Sequence, residues 1–295
     1  TVCDMVLVTI QNVNPALKKE TFLEPRIKFL SGSDAFLGRK TAQQTHAASA
    51  TDPGSDDLRY DWAFPGTPDR FGGTLLPMPP TESTTTFNNS AAPGTLPFTD
   101  PAPHVPSSAT FQPRGTFPFT SSDTAAVTFR APGVYTVAVK VTDDNSGTDA
   151  LSLPKLVSDD KCRRRNEGFW KNQFDLKGKP KIDQATLLAY LDVVNFASSV
   201  FSESVPAATM EQALAVLETK GSDKDQRRKA TRRALAAWLN LASGAVRYHE
   251  LVIVRVDDDD DDDDEDGAPV LMTFVEAMTQ VEAILRNPNA TKADL

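Results

Sequence analysis

The chain has 295 residues, a length that fits about two domains, and its 40% hydrophobic content is enough for globular cores. A net charge of −9 and a pI near 4.9 argue against nucleic acid as the partner. No apolar run approaches the ~20 residues that span a bilayer. The sequence begins at Thr1 with no charged-then-apolar leader, which reads as a processed chain or a piece of a longer one. Cys3 and Cys162 are the only cysteines, too few for a disulfide framework; whether they pair or stay free thiols is open at this stage.

In chain order, Met5 to Ile10 reads as a strand closed by Asn12-Val13-Asn14-Pro15. Arg26 to Leu30 is a short strand and Lys40 to Ser49 a longer, more polar one. Tyr60-x-Trp62-x-Phe64 alternates at strand period. Residues 65 to 123 are rich in Pro, Thr, Ser, Gly and Phe. Six phenylalanines in that stretch (71, 87, 98, 111, 117 and 119) argue against full disorder and for an extended ornament laid over a sheet face. Asn88-Asn89-Ser90 fits a glycosylation sequon, a weak pattern.

The most informative stretch runs from Thr124 to Leu153. Val127 and Phe129 share one face of a strand, Pro132-Gly133 breaks it, and Tyr135, Val137, Val139 and Val141 then alternate with Thr136, Ala138 and Lys140. Asp143 to Gly147 is a turn cluster, with extended chain following. This predicts strand, corner, strand, hairpin, strand, with the Tyr135 side chain folding back onto the preceding turn.

Phe129-x-x-Pro132-Gly133-x-Tyr135-x-Val137-x-Val139-x-Val141-Thr142-Asp143 resembles the C-terminal signature of the polycystic-kidney-disease-type (PKD) domain, and Ala48 to Phe64, with Tyr60-x-Trp62, resembles its first half. Where the family usually continues Trp-Asp-Phe-Gly-Asp-Gly, this chain has Trp62-Ala63-Phe64-Pro65-Gly66 and lacks that acidic tight turn. The resemblance covers about residues 25 to 158 and implies an immunoglobulin-like antiparallel β-sandwich acting as an extracellular, non-catalytic spacer or binding module. In tandem PKD arrays a last strand runs into an Asn-x-x-Pro linker. Residues 4 to 13 therefore resemble the end of a preceding domain, although an edge strand of this same sandwich is the competing reading.

Near Ser158 the pattern changes from strands to helices. Asp159 to Arg165 reads as a charged linker, and Gly168-Phe169-Trp170-Lys171-Asn172 resembles an uncharacterised opening in C-terminal regions of bacterial surface and secreted proteins, with Trp170 as a core anchor. Asp183 caps a helix whose Leu187, Leu191, Val194 and Phe201 face inward. Thr209-x-x-Gln212 is a capping box before a helix that Gly221 ends, and Ser222 or Asp223 opens the next, carrying Leu235, Trp238, Leu239 and Ala242. Leu251 to Val254 is a short strand or buried extended run. Phe274, Met278, Val281 and Leu285 form the last inward stripe, stopped by Asn287-Pro288; Asn289-Ala290-Thr291 is a second weak sequon.

Asp257 to Asp264, with Glu265 and Asp266, is a self-repelling run that reads as a solvated acidic loop. Its alternative is calcium, a hard cation that takes carboxylate oxygens: Asp262-x-Asp264-x-Asp266-Gly267 starts like a calcium loop, but Thr273 stands where an EF-hand needs Glu, so a site on Asp262, Asp264 and Asp266 is irregular. Lys224, Arg227, Arg228, Lys229, Arg232 and Arg233 crowd one helix, a solvated face that offsets the acidic loop. His46, His104 and His249 are isolated. His249-Glu250 begins a zincin-like motif without its second His, and no P-loop, dinucleotide or Gly-x-Ser-x-Gly fingerprint occurs.

The expected architecture is multidomain, β then α. Residues 1–15 form an N-terminal strand and linker. Residues 16–158 form the PKD-like sandwich with its insertion at 65–123, residues 159–167 the linker, and residues 168–295 an all-α, mainly helical domain with the acidic loop at 257–266. The expected function is a non-catalytic structural or adhesive segment of an extracellular or cell-surface protein. Its partners would be surface protein or polysaccharide, with self-assembly into oligomers or filaments by strand addition. The alternatives are an accessory binding module of a secreted hydrolase, and an enzyme in the helical domain.

Overall fold

A computed structural model describes residues 13–18, 26–31, 34–52, 58–64, 87–88, 119–143, 147–161, 163–178, 180–218, 225–254 and 270–291. Strands fill the N-terminal part and helices the C-terminal part. Strands β1 (Ala16–Leu17), β4 (Gln43–Asp52) and β7 (Phe119–Thr128) form a three-stranded sheet in the order β1-β4-β7. Strands β2 (Arg26–Lys28), β3 (Asp34–Arg39), β5 (Leu58–Ala63), β6 (Phe87–Asn88), β8 (Gly133–Asp143) and β9 (Thr148–Ser158) form a six-stranded sheet, β2-β3-β9-β8-β5-β6.

The period-2 pattern sets which sheet face is buried. Tyr135, Val137, Val139 and Val141 alternate inward along β8 and meet Tyr60 and Trp62 of β5 and Ala48, Ala50, Ala125 and Val127 of the three-stranded sheet in one apolar cluster. Two polar groups reach across: Trp62 Nε1 donates to Asp123 Oδ2 at 2.9 Å, and Ala50 N–H donates to Tyr60 Oη at 2.9 Å. The corner at Pro132-Gly133 carries the chain from β7 in one sheet to β8 in the other. There Gly133 takes φ +146°, and the Tyr135 hydroxyl donates to Ala131 O at 3.0 Å, the fold-back expected from the sequence. The β8–β9 turn is closed by Asp143, whose carboxylate accepts from Gly147 N–H at 2.6 Å.

Among the described residues five helices follow: α1 (Glu167–Phe174), α2 (Gln184–Ala197), α3 (Met210–Leu217), α4 (Gln226–Ala242) and α5 (Phe274–Arg286), with a π-turn at Val200–Ser204. Caps fix their starts. Asp183 accepts from Thr186 N–H, and Thr209 with Gln212 makes the expected capping box. Helix α4 starts later than expected, at Asp225, because that carboxylate reaches Arg228 N–H. Helix α3 ends at Leu217, capped by Glu218, well short of Gly221. Thr273, which fails as a calcium ligand in sequence, instead pairs with Glu276 in a second capping box that opens α5.

One expectation needs correction. The helical part is not all-α: β10 (Leu251–Val254) pairs antiparallel with β11 (Val270–Thr273), with Leu251 and Ile253 exposed rather than buried. The helices also pack directly against the strands. The outer face of the six-stranded sheet carries Phe29, Ala35 and Leu156 into the same apolar cluster as Trp170, Leu187, Tyr190, Val194 and Trp238. Alternation along β9 explains this: Val157 turns inward to the strands, and Leu156 outward to the helices. The sheet is buried on both faces there, a layered β-β-α arrangement.

Candidate functional site

A buried polar group lies where β9 passes into the helical part. Lys40 follows the last residue of β3 and Ser158 ends the neighbouring β9, a parallel pair in register at Arg39–Ser158. Lys40 N–H donates to Ser158 O at 2.9 Å, and Lys40 Nζ reaches Asp159 Oδ1 at 2.6 Å and Asp160 Oδ1 at 3.6 Å. The Tyr190 hydroxyl, from α2, donates to the other Asp159 oxygen. Asp159 is 1% exposed. Burial alone would raise its pKa, but the Lys40 ammonium, the Tyr190 hydroxyl and the Asp160 N–H outweigh that and hold it below the ordinary carboxylate range. Burial likewise opposes charge on Lys40, yet Asp159 and Asp160 outweigh it and raise its pKa. Tyr190 is pushed upward by burial and by the Asp159 charge. The group is thus a fixed ion pair with a neutral phenol.

The backbone joins in. Asp159 N–H donates to Ala242 O at 2.9 Å and Lys161 N–H to Ser243 O at 3.0 Å, while Arg39 Nη2 donates to Gly244 O at 3.0 Å. These donors satisfy carbonyls that the C-terminus of α4 would otherwise leave open, and they are placed at the negative pole of that helix. Gly244 has φ +79°, and a Cβ there would stand 2.0 Å from Asp159 O, so the close approach requires glycine. Further along the seam, the Tyr248 hydroxyl donates to Lys28 O at 2.7 Å. Residues 159–161 and 163–166, a charged linker by composition, are therefore tied into both parts.

Beside this seam opens a cleft of ≈ 970 Å³ lined by Ile27, Leu37, Arg39, Gln44, Val246 and Arg247, among others. Gln44 donates from Nε2 to Arg39 O at 3.1 Å, and its Oε1 is buried with no donor among the described residues. The cleft thus offers apolar walls and guanidinium groups, with one unpaired amide acceptor buried in its wall, a set suited to binding.

The residues singled out from sequence fall elsewhere. Asp262, Asp264 and Asp266, Cys3 and Cys162, His104, Lys224, the strand at Met5 to Ile10 and nearly all of the 65–123 insertion lie outside the described residues. Among the described residues no group of three or more His, Cys, Asp or Glu is placed to hold a metal, and no helix is long and apolar enough to cross a membrane. His46 is a core residue between the Phe36 and Phe64 rings. His249 sits in a turn before β10, not on the helix a zincin motif needs, and Glu250 there accepts from Arg247 N–H and pairs with Arg164. The basic helix face is spent locally: Arg227 donates to Leu285 O and Asn287 O, Arg228 pairs with Asp225, and Arg232 and Arg233 pair with Glu167.

Sequence reasoning missed Lys40, Gln44, Asp159 and Tyr190. Lys40 and Gln44 flank a β-turn, and Asp159 opens a charged run; only the tertiary meeting of β3, β9, α2 and α4 gives them a role. It also missed Glu282, 3% exposed in α5, one residue from the Val281 assigned to the stripe. That carboxylate accepts from Ser198 Oγ, Ser199 N–H and Oγ (3.1 and 2.9 Å) and Trp238 Nε1 (2.8 Å), tying α2, the π-turn, α4 and α5 together. A buried carboxylate so fully bonded is a structural group.

No family model and no curated protein matches the sequence. Among solved structures, the chain is similar to PapD-like domain 7 of human CEP192, at 8% identity over 55% of this chain and 98% of that one, with a TM-score of 0.22. It is also similar to a family 123 glycoside hydrolase from Clostridium perfringens, at 8% identity over 48% of this chain and 27% of that one, again with a TM-score of 0.22. At those scores neither likeness carries an argument about this chain.

Proposed function

We propose that the chain is a non-catalytic structural or adhesive segment of a larger extracellular or cell-surface protein, in which a PKD-type, immunoglobulin-like sandwich is built into one body with a helical cap. The observation that carries this reading is the seam. Asp159 and Glu282, the two most internally bonded carboxylates described above, are both consumed in holding elements together, and the strand and helix layers share a core. A spacer that keeps its shape between neighbours needs this construction; a catalytic pair needs open hydrogen-bonding capacity facing a substrate. The exposed apolar side chains of the hairpin, Leu251, Ile253 and Leu271, support the adhesive side of the reading. Strand addition through residues 4–13 and calcium at Asp262, Asp264 and Asp266 belong to the same proposal.

Antibody raised against the helical part tests it. Labelling of intact, unpermeabilised producing cells, or of their medium, is the expected result; labelling only after permeabilisation contradicts it. A second reading, an accessory binding module for surface protein or polysaccharide, is favoured by the unpaired Gln44 acceptor in the wall of the ≈ 970 Å³ cleft. Gln44→Leu separates the two, since it weakens retention on a ligand column only if the cleft binds.

A further inference from the structure

The segment Asp159 to Arg165 and the Gly168-Phe169-Trp170-Lys171-Asn172 motif, separate signals in the sequence, meet in space. Lys161, Arg163 and Arg165 of the first and Phe169 and Trp170 of the second line a pocket of ≈ 210 Å³ with Lys181, Ile182 and Ser243. Four of its lining residues are cations: Lys161, Arg163, Arg165 and Lys181. None of the four has a carboxylate within ion-pair distance among the described residues, although nearby carboxylates are engaged: Asp159 by Lys40 and Tyr190, Glu167 by Arg232 and Arg233, and Asp183 by Thr186. Arg165 is positioned by its guanidinium lying 4.4 Å from the centre of the Phe169 ring and by a two-way backbone tie to Asn240. Lys181 is positioned by its N–H bond to Gln173 Oε1 at 2.7 Å. The pocket's inner wall is Trp170, 1% exposed, whose indole Nε1–H is buried with no acceptor among the described residues.

An orphaned buried N–H is destabilising, and four cations lining one pocket repel one another even in a protein whose net charge is −9. A ligand with several anionic oxygens on one centre relieves both. We propose that this pocket binds a tetrahedral oxyanion, a phosphate or sulfate group, with Arg163, Arg165, Lys161 and Lys181 as charge partners and Trp170 Nε1–H as the inner hydrogen-bond donor. The pocket is smaller than the ~300–1,000 Å³ of drug-sized sites, so it takes the oxyanion itself and leaves any attached molecule outside. Two sources share that chemistry: the free inorganic ion, and the same group carried on a polymer such as a sulfated or phosphorylated polysaccharide. The proposal does not depend on the function proposed above.

The experiment uses the full chain at constant ionic strength. Inorganic phosphate and sulfate are titrated against chloride and acetate, with melting temperature and tryptophan fluorescence as readouts. The expected result is a saturable rise in melting temperature with phosphate or sulfate that chloride and acetate do not reproduce. In the double variant Arg163→Gln/Lys181→Gln, both exposed side chains whose loss leaves the core intact, apparent affinity falls at least ten-fold. Trp170→Phe, which keeps an aromatic ring but removes the N–H, weakens binding and abolishes the fluorescence response of that residue. Equal responses to phosphate and chloride, or unchanged affinity in the double variant, overturn the proposal. A sulfated polysaccharide then decides the source: retention that the double variant loses identifies a polymer-borne group, and binding of the free ion alone identifies the inorganic one.

Discussion

At the scale of single residues, a few positions carry constraints that composition does not advertise. Gly244 is one: its φ of +79° and the 2.0 Å approach of a would-be Cβ to the Asp159 carbonyl act together. Gly244→Ala should therefore cost at least about 2 kcal/mol in a urea melt, the left-handed penalty plus displaced backbone. Gly38 makes a useful contrast, since a Cβ there meets only the side-chain end of Gln44, which can move. His46 is another such residue. Buried among aromatic rings and near Lys155, its pKa is lowered to about 3, by burial first and then by the Lys155 charge. The folded value lies below the unfolded one, so the unfolded chain takes up the proton first. Stability is then lost as pH falls below about 6.5, at roughly 1.4 kcal/mol per pH unit, or about 2 kcal/mol by pH 5. Chemical melts at pH 7.5 and 5 check this, and His46→Phe should flatten the slope.

Among the elements, what was legible followed from short-range chemistry. The alternation of β8, the corner at Gly133, the fold-back of Tyr135 and the Thr209–Gln212 capping box each depend on residues within a few positions, and each is found where the pattern placed it. What was not legible depends on distant partners. Parallel pairing of β3 with β9 joins segments more than a hundred residues apart, and no local period reports it. Glu282 shows the same limit on a helix: Val281 and Glu282 both lie near the edge of the apolar stripe, and only the donors of Ser198, Ser199 and Trp238 decide that the carboxylate goes in. Glu282→Ala should strand those buried donors and cost about 3 kcal/mol or more. Hydrogen exchange at the Ser199 and Val200 amides should accelerate ahead of the sheet amides; uniform acceleration across the chain would assign Glu282 a merely global role.

For the whole molecule, the change from strands to helices near Ser158 was correctly visible, but what the change meant was not. A run such as Asp159 to Arg165 has the composition of a spacer, and composition cannot report that α4 offers its open carbonyls and α2 its phenol to that segment. The candidate cleft and the cationic pocket exist only because of that docking, so neither was foreseeable from motifs. Asp159→Ala removes one member of a buried pair and leaves Tyr190 without its acceptor. With Lys40 retaining some solvent access, the expected loss is about 2–4 kcal/mol, and the helical part should become selectively protease-sensitive. Differential scanning calorimetry of the unmodified chain tests the shared-body account most directly. The account predicts one transition whose calorimetric and van't Hoff enthalpies agree; two separable transitions, with the helices melting apart from the strands, would contradict it.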